Sequence, residues 1–515
     1  MRVLLLYPEF PQSFWSFEKT LELVGKKSLL PPLGLITVAG LLPREWEYRL
    51  VDRNIGKVSE ADWEWAELVL LSGMIVQKDD MLLAIKEAHQ HGKKVAVGGP
   101  YATSLPDEVA IADYRILDEG ELTIPMFLEA LEEGATSGTY RSEIKASVTE
   151  TPIPRYELLD LTAYDNMSVQ FSRGCPFQCE FCDIIVLYGR KPRTKDPKQL
   201  LKELDYIYDL GWRGGVFMVD DNFIGNKRNV KLLLKELKEW MREKEYPFSF
   251  DTEASVDLAN DEELMELMVE CSFKKVFLGI ETPDEASLAL TQKFQNTRDP
   301  LTESVDKITR YGLQVMAGFI IGFDNEKKGA GDRIVSFVEQ TGIPMAMFSM
   351  LQALPNTALW HRLEKEGRML DQGANINQTT LMNFIPTRPI EDIANEYVNG
   401  FYELYDPKTY LNRTYRYFMK LGVPRHSGKR KIDSSSIKAL LTICWRQGVL
   451  RETRWTFWKN FVGVIQRNPK LLPLYVVACA YLEHFIEYRQ IVTEKITDQL
   501  KAYIASQPEK DKLVA

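Results

Sequence analysis

A chain of 515 residues exceeds the ~250 to 300 residues at which one hydrophobic core stops growing, so several separately packed regions are expected. With 45% apolar and 27% charged residues it composes like an ordinary globular protein, and its longest apolar run, near Leu471–Leu482, carries Pro473 and falls short of the ~20 residues of a membrane-spanning helix. The net charge of −9 argues against nucleic acid as the main partner; six cysteines and no secretory leader pattern argue against a disulfide framework and for a reducing cytoplasm.

The first region, residues 1–137, alternates short apolar runs with helix-like stretches. Strands are expected at Val3–Tyr7, Tyr48–Val51, Leu68–Ser72, Lys94–Gly98 and Tyr114–Leu117, with a helix over Lys78–His91. This is the pattern of an α/β, doubly wound parallel sheet. Such sheets bind ligands at the carboxyl ends of their strands. There the chain places Pro8, then Asp52–Asn54, Ser72 and Gly73, Gly98, Gly99 and Pro100, and finally Glu119, Gly120 and Glu121. These residues form either a ligand-binding edge or simply tight strand-to-helix turns. Residues 138–165, with Pro152 and Pro154, read as a linker.

The second region, residues 166–368, again alternates. Its six expected strands are Met167–Phe171, Gly215–Val219, Ser249–Glu253, Lys275–Ile280, Gln314–Ile321 and Met345–Leu351, and helical periodicity covers Pro197–Tyr208 and Val230–Lys244. Residues 369–515 lack strand alternation and read as helical. Between Asp406 and Lys470 lie fifteen Lys or Arg against three acids, a local charge of +12 that leaves −21 for the remainder. Aromatics such as Tyr415, Tyr417, Phe418, Trp445, Trp455, Phe457, Trp458 and Phe461 interleave with these bases. Two readings stand: a solvated helical face with an aromatic core stripe, or contact with an anionic membrane surface at the inner membrane face. No RNA- or DNA-binding module accompanies the bases.

The densest chemistry is Arg-Gly-Cys-Pro-Phe-Gln-Cys-Glu-Phe-Cys, which holds Cys175, Cys179 and Cys182. A structural zinc site needs a fourth Cys or His, and none is near. Iron–sulfur clusters normally take four thiolates. Three thiolates leave one iron of a [4Fe-4S] cluster open to a small molecule. Cys271, Cys444 and Cys479 stand alone in apolar contexts and read as buried hydrophobes.

The CxxxCxxC spacing, with the aromatic Phe181 before its last Cys, resembles the signature of the radical S-adenosylmethionine (SAM) superfamily. The resemblance implies that SAM chelates the open iron and is cleaved by the reduced cluster to methionine and a 5'-deoxyadenosyl radical. It also implies that the six central strands form a partial (β/α)6 barrel, whose strand ends carry the chemistry. Asp220, Asp221 and Asn222 would then receive the SAM amino group, Glu253 and Ser255 would follow on the third strand, Glu281 would meet the ribose hydroxyls, and Gly318, Ile320 and Gly322 would lie against adenine.

The N-terminal sheet, with Gly-Gly-Pro followed by Asp-Glu-Gly-Glu, resembles the cobalamin-binding domain that precedes this barrel in one large class. By that resemblance Pro8, Asn54, Ser72, Gly73, Gly98, Gly99, Pro100, Glu119, Gly120 and Glu121 would border the corrin. The family's Asp-x-His-x-x-Gly motif is altered: Asn54 stands where the His would be, so cobalt is expected to lack a His lower ligand. Taken whole, the chain resembles the cobalamin-dependent radical SAM methylases and, through Tyr-Pro-Glu-Phe-Pro, Pro-Pro-Leu-Gly-Leu and Val-Asp-Asp-Asn, the hopanoid C-2 methylases. That kinship implies methylation of an unactivated carbon on a hydrophobic polycyclic substrate, with an external electron donor such as flavodoxin or ferredoxin. Two alternatives are a radical SAM cyclase or methylase acting on a tetrapyrrole, and a non-enzymatic iron–sulfur electron-transfer or sensor module.

Overall fold

The computed structural model describes residues 1–370, 376–426 and 434–506. They divide into two compact units. The first comprises Met1–Gln12, Lys26–Pro176 and Asp183–Asn229, and the second Ser13–Gly25, Phe177–Cys182 and the chain from Val230 onward.

The first unit is built on six parallel strands, β1 (Arg2–Tyr7), β2 (Glu47–Asp52), β3 (Leu68–Ser72), β4 (Lys94–Gly98), β5 (Tyr114–Ile116) and β6 (Gly138–Tyr140), in the order β2-β1-β3-β4-β5-β6. Strands buried on both faces need apolar side chains at successive positions, and β1 has them. Val3 and Leu5 enter a core with Leu35, Ala39, Ile124 and Phe127, while Leu4 and Leu6 enter the opposite core with Met81, Ala84 and Ile85. The expected helix runs from Lys78 to Gln90. β6 lies where a linker was expected to begin. It is a three-residue edge strand with an exposed centre, too short to carry a period-2 pattern, and it is fixed by pairing Tyr114 with Gly138. Beyond it, β7 (Asn166–Val169) pairs in parallel with β10 (Gly215–Met218), and β8 (Ser172–Arg173) pairs antiparallel with β9 (Arg193–Thr194).

In the second unit β11 (Ser249–Ala254), β12 (Phe273–Glu281), β13 (Gln314–Ile321) and β14 (Met345–Met350) pair successively in parallel. All six central strands fall within two residues of their expected positions. The C-terminal part is helical, with helices Ile390–Leu404, Pro407–Lys420, Ser434–Trp445, Arg454–Arg467 and Leu472–Ser506. Pro473 opens the last of these rather than breaking it, because a helix's first turn has no amide bond for proline to remove. No helix among the described residues is long and apolar enough to cross a membrane.

The segment Ser13–Gly25 packs within the second unit. Phe14 stacks on Phe485 with ring centroids 4.7 Å apart, Thr20 donates to the Ala480 carbonyl, and Trp15 meets Phe277 edge-on and donates to the Met347 sulfur. Much of the basic and aromatic C-terminal sequence is also structural. Arg413 is fully buried on Glu339 and the Leu404 carbonyl, Arg425 pairs with Glu266, and the Tyr417 hydroxyl accepts from the Val315 amide. Lys429, Arg430, Lys431 and Asp433, part of the basic stretch, lie outside the described residues.

Candidate active site

In the first unit the cysteine loop leaves β7 and passes directly over the end of β10. Asp220 is fully buried and accepts hydrogen bonds from the Phe171 amide and from both the amide and the hydroxyl of Ser172. Burial raises its carboxyl to about 6 despite those bonds. Asp221 accepts from the Gly174 amide at 3.0 Å, and burial, reinforced by Asp220 and Asp183, raises it to about 7. Asn222 directs its side-chain amide to the Cys175 sulfur, 3.9 Å away. Of the expected trio, Asp220 therefore clamps the loop, whereas Asp221 and Asn222 stand beside the first cysteine.

Arg173, next to that loop, pairs with Glu119 and Glu121, and Arg193 pairs with Glu119 as well. Glu119 also accepts from the Ala146 amide, and Glu121 accepts from the Thr151 hydroxyl. The two glutamates expected at the strand-end edge thus hold the cysteine-bearing segment through arginine, a link that the separate motifs did not reveal. At the same edge, the Asn54 amide donates to Asp52 and to the Pro8 carbonyl while its oxygen accepts from the Phe10 amide. Gln77, absent from the expected set, donates to Pro8 at 2.6 Å. Ser72, Gly73, Gly98, Gly99 and Pro100 follow at adjacent strand ends. Gly99 has φ +86°, and a Cβ there would lie 2.4 Å from the Ser72 hydroxyl, so a close turn and an open backbone coincide. Gly120 opens the helix Gly120–Glu132. The two histidines of the first unit are engaged elsewhere: His89 pairs with Asp113 and His91 stacks on Trp63.

The second unit carries Cys179 and Cys182. The Cys182 amide donates to the Cys179 carbonyl, making a turn, and the Glu180 amide donates to the Thr291 carbonyl. Glu180 itself is held by Arg362, which also reaches Asp324. The Gln295 amide donates to the Cys179 sulfur at 3.7 Å. Phe181 packs on Phe323, and Lys293 lies 5.9 Å above the Phe181 ring. Lys293 forms a buried ion pair with Glu281. Burial opposes its charge, but Glu281 together with the Cys179 and Cys182 sulfurs more than compensates, so the Lys293 pKa is raised. A Cβ on Gly279 would fall 2.6 Å from the Glu281 carboxylate and 2.7 Å from the Lys293 ammonium. Glycine at that position is what admits the pair.

Glu281 thus has an internal partner rather than an open carboxylate. Lys293 and Gln295 were not anticipated; the only signal was the polar run Thr291–Asn296 after the Gly-Ile-Glu-Thr strand end. The remaining expected residues lie on the same four strands or just beyond them. Glu253, next to last in β11, is half-buried, Ser255 bonds Asp257, Gly318 backs onto Phe277, Ile320 is half-buried, and the Gly322 amide donates to Glu326.

None of the three cysteines is in a disulfide; Cys175 belongs to the first unit and Cys179 and Cys182 to the second. Among the described residues no group of three His, Cys, Asp or Glu forms a preset metal site. The donor set nevertheless suits a thiolate-held cluster, because amide N–H groups point at two of the three sulfurs, the kind of contact that tunes such a cluster. Within the first unit the Asp221 carboxyl, near Cys175, can accept a cationic group, and within the second unit Cys179 is buried with an amide donor at its sulfur.

The model of the radical SAM superfamily matches residues 169–338, and that of a domain of unknown function (DUF4070) matches 357–498. Over 511 residues the chain is 67% identical to an uncharacterized methyltransferase of Synechocystis sp., covering 98% of this chain and 95% of the relative. It is 35% identical to the hopanoid C-2 methylase of Rhodopseudomonas palustris, covering 95% and 93%. Among solved structures, the cobalamin-dependent SAM radical enzyme OxsB with aqua-cobalamin and SAM bound superposes at a TM-score of 0.59 and 16% identity, covering 99% of this chain and 82% of that one. The expected α/β architecture, with a parallel N-terminal sheet, a radical SAM fold and a helical C-terminus, is the one found.

Proposed function

The chain belongs to the radical SAM methylase family, as its near full-length identity to two methyltransferases shows, and from that premise we propose that it is a cobalamin-dependent enzyme that methylates an unactivated carbon of a hydrophobic polycyclic substrate such as a hopanoid. Membership sets aside the electron-transfer and sensor reading. The observation that carries the chemistry is the pair of amide donors aimed at Cys175 and Cys179 in a loop clamped by Asp220 and Asp221. What the bound cofactors would supply is the electron that cleaves SAM, from the cluster, and the transferable methyl group, from cobalamin.

The chain's own residues do the positioning. Cys175, Cys179 and Cys182 would hold the cluster; Asp221 and Asn222, beside Cys175, would face the SAM amino group, and Glu281, Gly318, Ile320 and Gly322 would border its adenosine. The strand-end edge from Pro8 to Glu121 would border the corrin, with no histidine at hand for its lower face. Asp221, raised to about 7, can accept a cationic ammonium and gain charge as it does. Trp15, Phe277 and Met347 supply an apolar, polarizable cluster on the barrel strands that would suit a hydrocarbon substrate. Electrons would come from a flavodoxin or ferredoxin of the cytoplasm.

Purified protein reconstituted with iron, sulfide and cobalamin should show corrinoid absorbance, release 5'-deoxyadenosine on reduction and methylate a desmethyl hopanoid. Absence of corrinoid binding would overturn the cobalamin reading. Methylation of a tetrapyrrole but not of hopanoids would move the enzyme to the bacteriochlorophyllide methylases of Chlorobaculum tepidum, to which the chain is 22% identical.

A further inference from the structure

The helices Ser434–Trp445 and Arg454–Arg467, joined through a π turn at Arg446–Leu450, show an unusual inversion. One side of this assembly is packed, burying Ile443, Gln447, Phe457, Asn460 and Val464. The opposite side of a surface helix should be polar. Instead Leu441 is 64% exposed, Trp445 57%, Leu450 63% and Trp455 74%. Ile437, Leu441 and Trp445 recur every four residues, so they form one stripe on one helix face. They line an open hollow of about 570 Å³. An exposed apolar stripe of this kind, with Leu450 and Trp455 also exposed on the segments that follow it, marks an interaction surface.

The charges around it say what covers it. From Ser434 to Lys470 there are seven Lys or Arg and one acid, Glu452. Arg446 and Arg451 turn inward to Glu483, but Lys438 lines the hollow beside Leu441, and Lys459 follows Trp455 by four residues on the same face of its helix. A hydrophobic protein partner would not call for such a one-sided rim, whereas an anionic bilayer attracts each nearby Lys or Arg and accepts Trp and Leu at its headgroup boundary. We propose that this face docks the enzyme on the surface of an anionic membrane, with Leu441, Trp445, Leu450 and Trp455 entering the interface and Lys438 and Lys459 meeting lipid phosphates. The contact is peripheral. The proposal stands whichever carbon the enzyme methylates, and its test requires no turnover.

Full-length protein would be sedimented with vesicles of phosphatidylcholine alone and of phosphatidylcholine mixed with phosphatidylglycerol, at low and high salt. The expected result is binding to the anionic vesicles only, weakened by salt. Replacing both Lys438→Gln and Lys459→Gln should reduce it roughly thirtyfold, and Leu441→Ser with Trp455→Ser should abolish it, while 5'-deoxyadenosine release stays intact in both variants. No binding by the parent protein, or equal binding by the variants, overturns the proposal. So does a homodimer of the parent that the Leu441→Ser, Trp455→Ser pair dissociates, since the face would then belong to a second copy of the chain.

Discussion

Lys293 and Glu281 form an ion pair shut away from solvent, immediately beside Phe181 and in the field of the Cys179 and Cys182 sulfurs. Glu281 takes part with positive φ, +64°, at an irregularity in the β12–β13 register. Strained backbone of this kind is kept where surrounding structure demands it, commonly at functional sites. Removing one partner strands the other. Lys293→Ala should therefore destabilise the protein by about 3–5 kcal/mol, whereas the double replacement Lys293→Met, Glu281→Gln should recover most of the loss. Chemical denaturation of the three proteins checks this, and equal stability of single and double variants would contradict it.

The cysteines give a sharper test of cluster assignment. Cys175→Ala, Cys179→Ala and Cys182→Ala should each abolish reductive SAM cleavage while corrinoid binding persists. Chromatographic detection of 5'-deoxyadenosine in any of the three would refute the assignment.

Amide donors to sulfur make a cluster easier to reduce, since they offset the added negative charge. Asn222→Leu and Gln295→Leu remove such donors from Cys175 and Cys179. Each variant should keep its iron content yet show a more negative midpoint potential in an EPR-monitored redox titration. An unchanged potential would mean that neither amide addresses the cluster.

At Gly99 a side chain meets two obstacles, a left-handed backbone and the Ser72 hydroxyl. Gly99→Ala should cost at least about 1–2 kcal/mol from the backbone alone, with further loss from the contact. Corrinoid titration should show weakened binding as well, whereas Gly134→Ala, also at positive φ but with nothing within 4 Å, should affect stability only.

His484 supplies a pH dependence. Its ring is buried against Tyr488 and Phe17 and bonds the Ser13 carbonyl, and burial lowers its pKa from 6.5 to about 4. Between about pH 6.5 and pH 4 the unfolded chain binds a proton that the folded chain refuses, so stability rises with pH across that window and the penalty is absent above it. At about pH 5 the penalty is about 2 kcal/mol. His484→Gln should flatten the acid limb of a thermal-stability profile by that amount, and an unaltered profile would show that the ring does not control it.

Short apolar or alternating runs were enough to read the strands: β1 and β13 are buried at consecutive positions and β11 at every second one, and the central strands fall within two residues of expectation. β6 escaped because pairing with β5, rather than any pattern of its own, makes it a strand. The cysteine triad was legible for a similar local reason: spacing alone limits which metal it can hold. The roles of the acids around it were less legible. Asp220 and Asp221 look equivalent in the chain, but one is fully consumed by Phe171 and Ser172 while the other has a single amide partner.

What the sequence by itself determined, then, was the set of chemical parts: three thiolates, a glycine-rich sheet edge without histidine, and a basic, aromatic C-terminal region. Only the tertiary structure decided which charges are spent internally. Glu119 and Glu121 answer Arg173 and Arg413 answers Glu339, through contacts between residues far apart in the chain, and Lys293 answers Glu281 from the segment that follows the Glu281 strand. The physical reason is that a buried charge must find a partner, and which partner it finds depends on the folding of distant segments that no local spacing encodes.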